Sequence, residues 1–213
     1  MTKLKALDLF CGAGGASMGL HRAGFDVTGV DINPQPRYPF RFIQGDALTF
    51  PLIGYDFIWA SPPCQGYSKT RRIMEGKGIP NPRADNMIPE IRERLEQSGA
   101  EWVIENVPGA PLRNPYRLCG TMFGLKVIRH RYFETSFPMC VPVCGKHGNT
   151  NSHRGYSTGG EFITVGGHNF RRVEGAAAMG IDWMKNRAEL SEAIPPAYSE
   201  FIARQFISSF ASA

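Results

Sequence analysis

The residues with the clearest chemical potential lie in Ser61-Pro-Pro-Cys-Gln-Gly-Tyr-Ser68, where a cysteine follows two prolines. The apolar run before them, residues 56–60, predicts a β-strand. Because proline restricts the backbone, Cys64 is held at the carboxyl edge of the predicted sheet, where open α/β folds bind and transform ligands. A thiol held there can act as a nucleophile. Taken alone, Cys64 is better interpreted as a buried structural cysteine in a loop, and two other features of the sequence favour the nucleophile instead.

A glycine-rich turn near the N-terminus predicts a nucleotide-binding unit. The predicted elements are, in order, a strand (5–10), the turn Cys11-Gly-Ala-Gly-Gly15, a helix (16–24) and two strands (26–32 and 42–47). Asp31 and Asp46 lie near the ends of the two later strands, and a carboxylate at the first position can accept hydrogen bonds from ribose hydroxyls. The pattern indicates an adenosine-containing cofactor. Since the glycines do not follow G-x-G-x-x-G, it disfavours a dinucleotide.

A second polar group is expected at the same sheet edge as the thiol. Glu101-Trp-Val-Ile-Glu-Asn-Val-Pro-Gly109 is a strand-like run that ends at a proline turn, so Glu105 should lie close to Cys64. A carboxyl group beside a thiol nucleophile is useful when the substrate has a ring nitrogen that must be protonated. The alternative is a carboxylate that only caps a helix or a loop.

The order of these motifs resembles that of the cytosine-5 DNA methyltransferases. The resemblance rests on Asp8-Leu-Phe-Cys-Gly-Ala-Gly-Gly15, Pro62-Pro-Cys-Gln65, Glu105-Asn-Val107 and Arg129-His-Arg131, and it covers residues 5–134 and 161–210. It implies S-adenosyl-L-methionine as the cofactor and double-stranded DNA as the partner. It also implies a short member of the family, since the target-recognition region is much reduced.

The resemblance assigns catalytic roles to four side chains. It implies that the Cys64 thiolate adds to carbon 6 of a cytosine flipped out of the helix, while Glu105 holds or protonates nitrogen 3. Arg131 resembles the family arginine that contacts the base, and Arg129 is the other arginine of that pair. The family usually has glutamine where Val127 stands, which alters part of this hydrogen-bond network.

The resemblance also implies a set of cofactor contacts. Phe10 would stack near the ligand, Asp31 would bind the ribose hydroxyls, and Ile32 would pack on the adenine. The remaining residues implied to surround the cofactor are Gly12, Ala13, Gly15, Asp46, Pro63, Ala197 and Tyr198. The last two belong to a predicted amphipathic helix over residues 194–207, which resembles the last family motif; a plain packing helix is the alternative.

A basic stretch after the cysteine is predicted to contact DNA. It mixes cations with glycines and so suits a loop that closes over phosphates. The predicted nucleic-acid contacts are Gln65, Ser68, Lys69, Arg71 and Arg72. An exposed surface loop with no partner is the alternative.

The segment between residues 135 and 160 departs from the family. It is too short for an independent domain, so we expect a short or relaxed target sequence. It contains Cys140, Cys144, His147 and His153, which are ligands of the zinc-binding type. Their spacing is unusual and such residues are often ordinary loop residues, so no metal is assigned.

Alternating strands and helices from residue 5 to 107 predict a Rossmann-like α/β fold, with a doubly wound, mostly parallel sheet and a small insertion. This is the class I methyltransferase fold that the resemblance implies. We expect a catalytic domain over residues 1–134, a reduced target-recognition insertion over 135–160, and a C-terminal part over 161–213 that completes the catalytic domain.

Composition fits these expectations. The net charge of +5 suits a polyanionic partner, and five cysteines with a catalytic thiol fit a reducing cytoplasm. No membrane partner is expected, and a monomer is the default. Methylation of cytosine in DNA is the favoured function. Methylation of cytosine in transfer RNA is the runner-up, and a catalytically idle protein that binds the cofactor or nucleic acid is a third possibility.

Overall fold

A single mixed sheet organises the chain. The computed structural model describes residues 3–64, 67, 87–145, 147, 161–167 and 170–210. The strands are β1 (Lys5–Leu9), β2 (Asp26–Asp31), β3 (Arg41–Gln44), β4 (Phe57–Ala60), β5 (Glu101–Asn106), β6 (Tyr116–Leu118) and β7 (Arg131–Thr135). The helices are α1 (Gly15–Arg22), α2 (Met87–Gln97), α3 (Arg172–Met179), α4 (Arg187–Glu192) and α5 (Pro196–Phe210), with a 3₁₀ helix at Gly120–Phe123.

The strands lie in the order β3-β2-β1-β4-β5-β7-β6. The first five are parallel, and β7 runs antiparallel to both β5 and β6. The central strands are largely apolar because both faces of the sheet are covered; all four residues of β4 are buried. The predicted doubly wound, mostly parallel sheet is therefore confirmed.

Alternating residues of each strand point to different helices. On one face Ala6, Phe57 and Trp59 pack with α1 and α5. On the other face Leu7 and Ile58 pack with α2. This period of two within each strand divides the core into two layers, as the doubly wound fold requires.

Helices α1 and α5 cross at very short range. A Cβ at Gly19 of α1 would lie 2.1 Å from the Pro196 carbonyl oxygen, so only glycine fits there. The Ser199 hydroxyl donates a 2.8 Å hydrogen bond to the Ala16 carbonyl across the same crossing. The predicted amphipathic C-terminal helix thus packs directly behind the glycine turn.

The small helices α3 and α4 form a third apolar cluster that covers the glycine turn. Val165, Met179, Met184 and Leu190 pack there together with Ala13. A bridge between Val127 and Ile163 joins this part to the rest of the chain. Among the described residues, no helix is both long and apolar enough to cross a membrane.

A buried ion pair fastens α2 to β7. Arg92 donates to both carboxylate oxygens of Glu134, at 2.6 and 2.7 Å, and also to the Pro111 carbonyl at 2.8 Å. The backbone N–H of Arg113 donates to the same carboxylate at 2.7 Å. Both charged side chains are almost fully buried. Each charge therefore depends on the other to replace the interactions with water that it has lost.

Replacing Glu134 by Gln should destabilise the fold strongly, since it leaves the Arg92 charge buried and unpaired. The expected loss in the free energy of unfolding is about 3–5 kcal/mol, measured by urea denaturation. Glu200→Gln is the matched control, because Glu200 forms an exposed pair with Arg204 on α5. Its expected effect is within about 0.5 kcal/mol, and equal losses in the two variants would contradict the interpretation.

Candidate active site

The Pro-Pro-Cys turn is fixed by side chains at the ends of neighbouring strands. Asn106, the last residue of β5, donates a 2.9 Å hydrogen bond from Nδ2 to the Pro62 carbonyl. The Trp59 indole N–H donates to the Ser61 hydroxyl, also at 2.9 Å. Because Asn106 is itself buried, these contacts hold Cys64 at the carboxyl edge of the sheet, where the sequence places it.

Glu105 lies on β5 at the same edge and is paired with Arg131. The Arg131 Nε atom lies 3.1 Å from a Glu105 carboxylate oxygen, and both side chains are largely buried. The pair forms because β7 runs antiparallel beside β5, which brings the start of β7 next to the end of β5. Two of the predicted catalytic side chains are thus in direct contact.

Arg129 is held by the C-terminal part of the chain. Its guanidinium donates to the carbonyls of Val165 and, at 2.7 Å, Ser191. The Arg129 carbonyl in turn accepts a 2.6 Å hydrogen bond from the buried Tyr198 hydroxyl. Burial lowers the pKa of Arg129 to about 9, and the neighbouring Arg131 charge adds to that effect.

The surroundings of Cys64 and Glu105 favour the neutral, protonated form of each side chain. Burial raises the pKa of the Cys64 thiol, the Glu105 charge raises it further, and Arg131 opposes both. Burial also raises the pKa of Glu105, while Arg131 and Arg129 lower it. A carboxyl group with a raised pKa can donate a proton near neutral pH, and the adjacent arginines can stabilise a thiolate.

On the predicted cofactor side, Asp31 binds the glycine turn. Its carboxylate accepts a 3.0 Å hydrogen bond from the Gly12 N–H and a 2.9 Å bond from the Asn33 N–H. Phe10 and Gly12 both have left-handed backbones, with φ of +59° and +48°. A non-glycine residue with positive φ is uncommon and is typical of functional turns.

Several predicted cofactor residues face open space around this turn. The Ile32 side chain is 65% exposed, which is unusual for a large apolar residue. A Cβ at Gly12 would meet no atom within 4 Å. Asp46 is also exposed, while Phe10 and Pro63 are half-buried. These residues are therefore accessible from solvent near the carboxyl ends of the parallel strands.

The other predicted cofactor residues have packing contacts. A Cβ at Gly15 would lie 2.6 Å from the Ile194 carbonyl oxygen, so this glycine permits close packing of the chain on itself. The Ala13 carbonyl accepts a hydrogen bond from the Trp183 indole at 2.8 Å. Tyr198 is fully buried, and Ala197 beside it is half-buried. For Tyr198 these contacts favour the packing interpretation and add a role in holding Arg129.

Asp8, a buried acid beside the glycine turn, is missing from the site residues predicted from the sequence. Asp8 accepts a hydrogen bond from the Ser17 hydroxyl, which lies 2.6 Å from the Tyr38 hydroxyl. Burial raises the pKa of Asp8 to about 7. The sequence does contain an indication of this site, since Asp8 interrupts the otherwise apolar β1. Ser17 lies on α1 and Tyr38 in the loop between β2 and β3, and hydrophobic periodicity does not indicate that these segments meet Asp8.

The structure groups the residues of zinc-binding type differently from the set predicted from the sequence, which is Cys140, Cys144, His147 and His153. Cys144 and His147 lie close together, but beside Cys119 and His130. Cys140 is exposed, and its N–H donates to Gln205 of α5. His153 and the predicted nucleic-acid contacts Gln65, Ser68, Lys69, Arg71 and Arg72 lie outside the described residues.

The comparison with protein families decides the affiliation of the chain. A family described as C-5 cytosine-specific DNA methylase matches residues 4–118, which is more than half of the chain. The chain belongs to this family. The matched region contains the glycine turn, the Pro-Pro-Cys turn and Glu105, so the resemblance inferred from these motifs is confirmed.

Relatives within this methylase family align over about half of the chain. The Type II methyltransferase M.XorII of Xanthomonas oryzae is 32% identical over 128 aligned positions, and the match covers 51% of this chain and 29% of the relative. M.NgoMIV of Neisseria gonorrhoeae is 32% identical over 49% of this chain and 36% of its own length. The chain thus spans about a third of the length of these relatives.

Solved structures share the fold over the whole chain. A putative DNA modification methyltransferase from an Escherichia coli prophage has a TM-score of 0.66 at 15% identity, covering 98% of this chain and 100% of that one. The Dnmt2 methyltransferase of Schizosaccharomyces pombe has a TM-score of 0.63 at 16% identity, covering 98% and 99%. The methyltransferase fold predicted from the sequence is therefore confirmed.

Replacing Asp8 by Asn should change how stability depends on pH. The pKa of Asp8 is about 7 in the folded state against an ordinary value of 3.8, so the folded state binds more protons between these values. The wild-type protein therefore loses stability relative to Asp8→Asn as pH rises from about 4 to about 7, by as much as about 4 kcal/mol.

The measurement is urea denaturation of both proteins across that pH range. Asp26→Asn serves as the control, since Asp26 is an exposed carboxylate at the start of β2. A stability difference between wild type and Asp8→Asn that stays constant with pH would contradict the assignment.

Proposed function

We propose that this chain transfers a methyl group from S-adenosyl-L-methionine to carbon 5 of cytosine in DNA, through a covalent adduct with Cys64. The observation that carries the proposal is the buried Glu105–Arg131 pair at the strand edge that also holds the Pro-Pro-Cys turn. A carboxyl group and a cation that both act electrostatically on the Cys64 thiol support this proposal, because such groups can assist addition of a thiolate to an aromatic ring.

The described residues fit an adenosine-containing cofactor. Asp31 presents carboxylate oxygens beside the glycine turn, exposed Ile32 offers an apolar surface for a purine, and the Gly12 backbone leaves space for close approach. In the proposed reaction S-adenosyl-L-methionine supplies the methyl group. Phe10, Asp46 and the other predicted cofactor residues remain candidates around this core.

Cys64 provides the covalent step. Its thiolate forms a bond to carbon 6 of cytosine, and the electron pair of the 5,6 double bond makes carbon 5 nucleophilic. Carbon 5 then takes the methyl group from the sulfonium sulfur; the bond between sulfur and methyl breaks and the neutral thioether leaves. A base removes the proton from carbon 5, and the electron pair restores the double bond as the thiolate leaves. Burial raises the pKa of the Cys64 thiol, whereas the positive charge of Arg131 lowers it. Arg131 therefore helps to form the reactive thiolate.

Glu105 and Arg131 support the ring during addition. With its pKa raised by burial, Glu105 can hold a proton and donate it to nitrogen 3, so that negative charge does not build up on the ring. Arg131 orients the Glu105 carboxylate through their contact and donates to the base. Arg129 is a positioning residue for this group, because its guanidinium donates hydrogen bonds to backbone carbonyls.

The substrate must enter the site as a single extruded nucleotide, because carbon 5 cannot be reached within a stacked duplex. The small span of residues 135–160 supports a short or relaxed recognition sequence, of about two to four bases, on the reasoning that few side chains are available for direct readout. A strict recognition sequence of six or more bases would contradict this part of the proposal.

Cytosine in RNA is the second candidate substrate. One relative, a 23S rRNA uracil-C5 methyltransferase of Pyrococcus horikoshii, is 35% identical over 85 aligned positions, and the match covers 35% of this chain and 21% of the relative. An idle binding protein is disfavoured, because Cys64, Glu105 and Arg131 are all present.

The first test is bisulfite sequencing of plasmid DNA from methylation-free cells that express the protein. We expect protected cytosines with wild type and Cys140→Ser, and none with Cys64→Ser. Cys140 is the matched control because it is an exposed cysteine outside the site. The protected positions would also give the length of the target sequence.

Protection that persists in Cys64→Ser would overturn the covalent mechanism. Absence of protection with all three soluble proteins would overturn the DNA assignment. The same sequencing applied to total RNA would then decide between RNA methylation and an idle binding protein.

Glu105→Gln should bind the cofactor normally but turn over slowly. The amide keeps the shape of the carboxyl group and loses its proton-donating ability, so kcat should fall by about 10²–10⁴-fold. The affinity for S-adenosyl-L-methionine, measured by calorimetry, should change by less than about threefold if Glu105 acts only on the base. An unchanged kcat would remove Glu105 from the mechanism.

A further inference from the structure

Four side chains from three segments, none of them assigned to the proposed active site, converge on one point. Cys119 follows β6, His130 precedes β7, and Cys144 and His147 lie in the segment after β7. The Sγ atoms and ring nitrogens that they offer all lie within 4.8 Å of one another. In sequence they read C-x10-H-x13-C-x2-H, a pattern that only the fold brings together.

Four of the six distances among these atoms are known, and they lie within about 0.4 Å of those in a tetrahedral metal centre. The Nε2 atoms of His130 and His147 are 3.0 Å apart. The Cys144 Sγ lies 3.2 Å from His147 Nε2 and 3.6 Å from His130 Nε2, and the Cys119 Sγ lies 3.5 Å from His147 Nε2. Zinc bonded to two sulfurs and two nitrogens implies edges of about 3.3 Å between nitrogens and about 3.6 Å between sulfur and nitrogen.

We propose that Cys119, His130, Cys144 and His147 bind one zinc ion as a closed structural site. Four protein ligands fill a tetrahedral coordination sphere, so no position is left for a water or a substrate. Binding converts both thiols to thiolates and releases two protons, so the two negative charges balance the charge of Zn²⁺. This ligand set replaces the sequence-based one, since Cys140 is exposed and lies outside the group.

Neighbouring groups orient the proposed ligands. The Thr121 hydroxyl lies 3.4 Å from His147 Nδ1, the ring nitrogen that does not face the other ligands, and 3.4 Å from the Cys119 sulfur. A polar partner on the second ring nitrogen is the usual way in which proteins fix a metal-binding histidine. Cys119 itself is fully buried at the start of the 3₁₀ helix, so its sulfur has a fixed position.

The proposed zinc site gives the segment after β7 an anchor. Residues 136–145 contain no helix or strand, so few backbone hydrogen bonds are available to order them. Coordination by Cys144 and His147 would tie this segment to the ends of β6 and β7. It would also fix His130, which lies between Arg129 and Arg131 in the chain, so the zinc site supports the backbone that carries both arginines.

Metal analysis tests the proposal directly. Wild type purified from zinc-supplemented cells should contain about one zinc per chain, measured by plasma mass spectrometry. Cys144→Ser should lose most of the zinc, and Cys140→Ser, only four residues away, should keep it. Cys64→Ser should also keep it, so the zinc result is independent of methyl transfer and separates this proposal from the proposed function.

Cobalt substitution covers the case in which Cys144→Ser fails to fold. Wild-type protein stripped of metal and loaded with Co²⁺ should show intense visible absorption and thiolate charge-transfer bands, typical of a tetrahedral site with cysteine ligands. Wild type with neither zinc nor these bands would overturn the proposal. Equal zinc loss in Cys140→Ser and Cys144→Ser, or a disulfide between Cys119 and Cys144, would overturn it as well.

Discussion

The desolvated charges where β5 and β7 meet impose the main constraint on this fold. Glu105, Arg131 and Arg129 are all largely buried, and each needs a partner that replaces water. The Glu105–Arg131 contact requires β7 to lie antiparallel beside β5, while Arg129 requires carbonyls from residues after 161. The same desolvation raises the pKa of the Glu105 carboxyl and of the Cys64 thiol. Architecture and proposed chemistry therefore depend on one buried group of charges.

The two halves of the proposed site are built differently. Around Asp31 and Ile32, backbone N–H groups and an exposed apolar side chain surround open space, as suits a ligand that enters and leaves. Around Glu105, buried side chains hold one another and leave little freedom, as suits a group that must keep one orientation during a reaction. The sheet joins the halves, because β1, β2, β4 and β5 all end at one edge.

Local patterns in the sequence predicted much of this arrangement. Apolar runs of strand length followed by Asp31, Cys64 and Glu105 predicted which side chains would share the sheet edge, because the carboxyl ends of parallel strands meet there. Contacts between distant segments were not predictable in this way. The Tyr198 hydroxyl reaches the Arg129 carbonyl across 69 positions, and Cys119 meets His147 across 28. The 135–160 segment supplies two of the four residues of the proposed zinc site, and periodicity contains no information on which strands bring the other two.

The dependence of Arg129 on late residues also sets the order in which a growing chain can assemble. Val165, Ser191 and Tyr198 all leave the ribosome long after the glycine turn and Asp31. During synthesis the parallel part of the sheet up to β5 can form first, while the Arg129 guanidinium gains its carbonyl partners only after Val165 and Ser191 have been made. Helix α5 then packs against α1, so a late segment of the chain completes the packing around an early one. A stalled product that lacks α5 would leave the Arg129 carbonyl without the Tyr198 hydroxyl, and would leave α1 without the helix that packs against it.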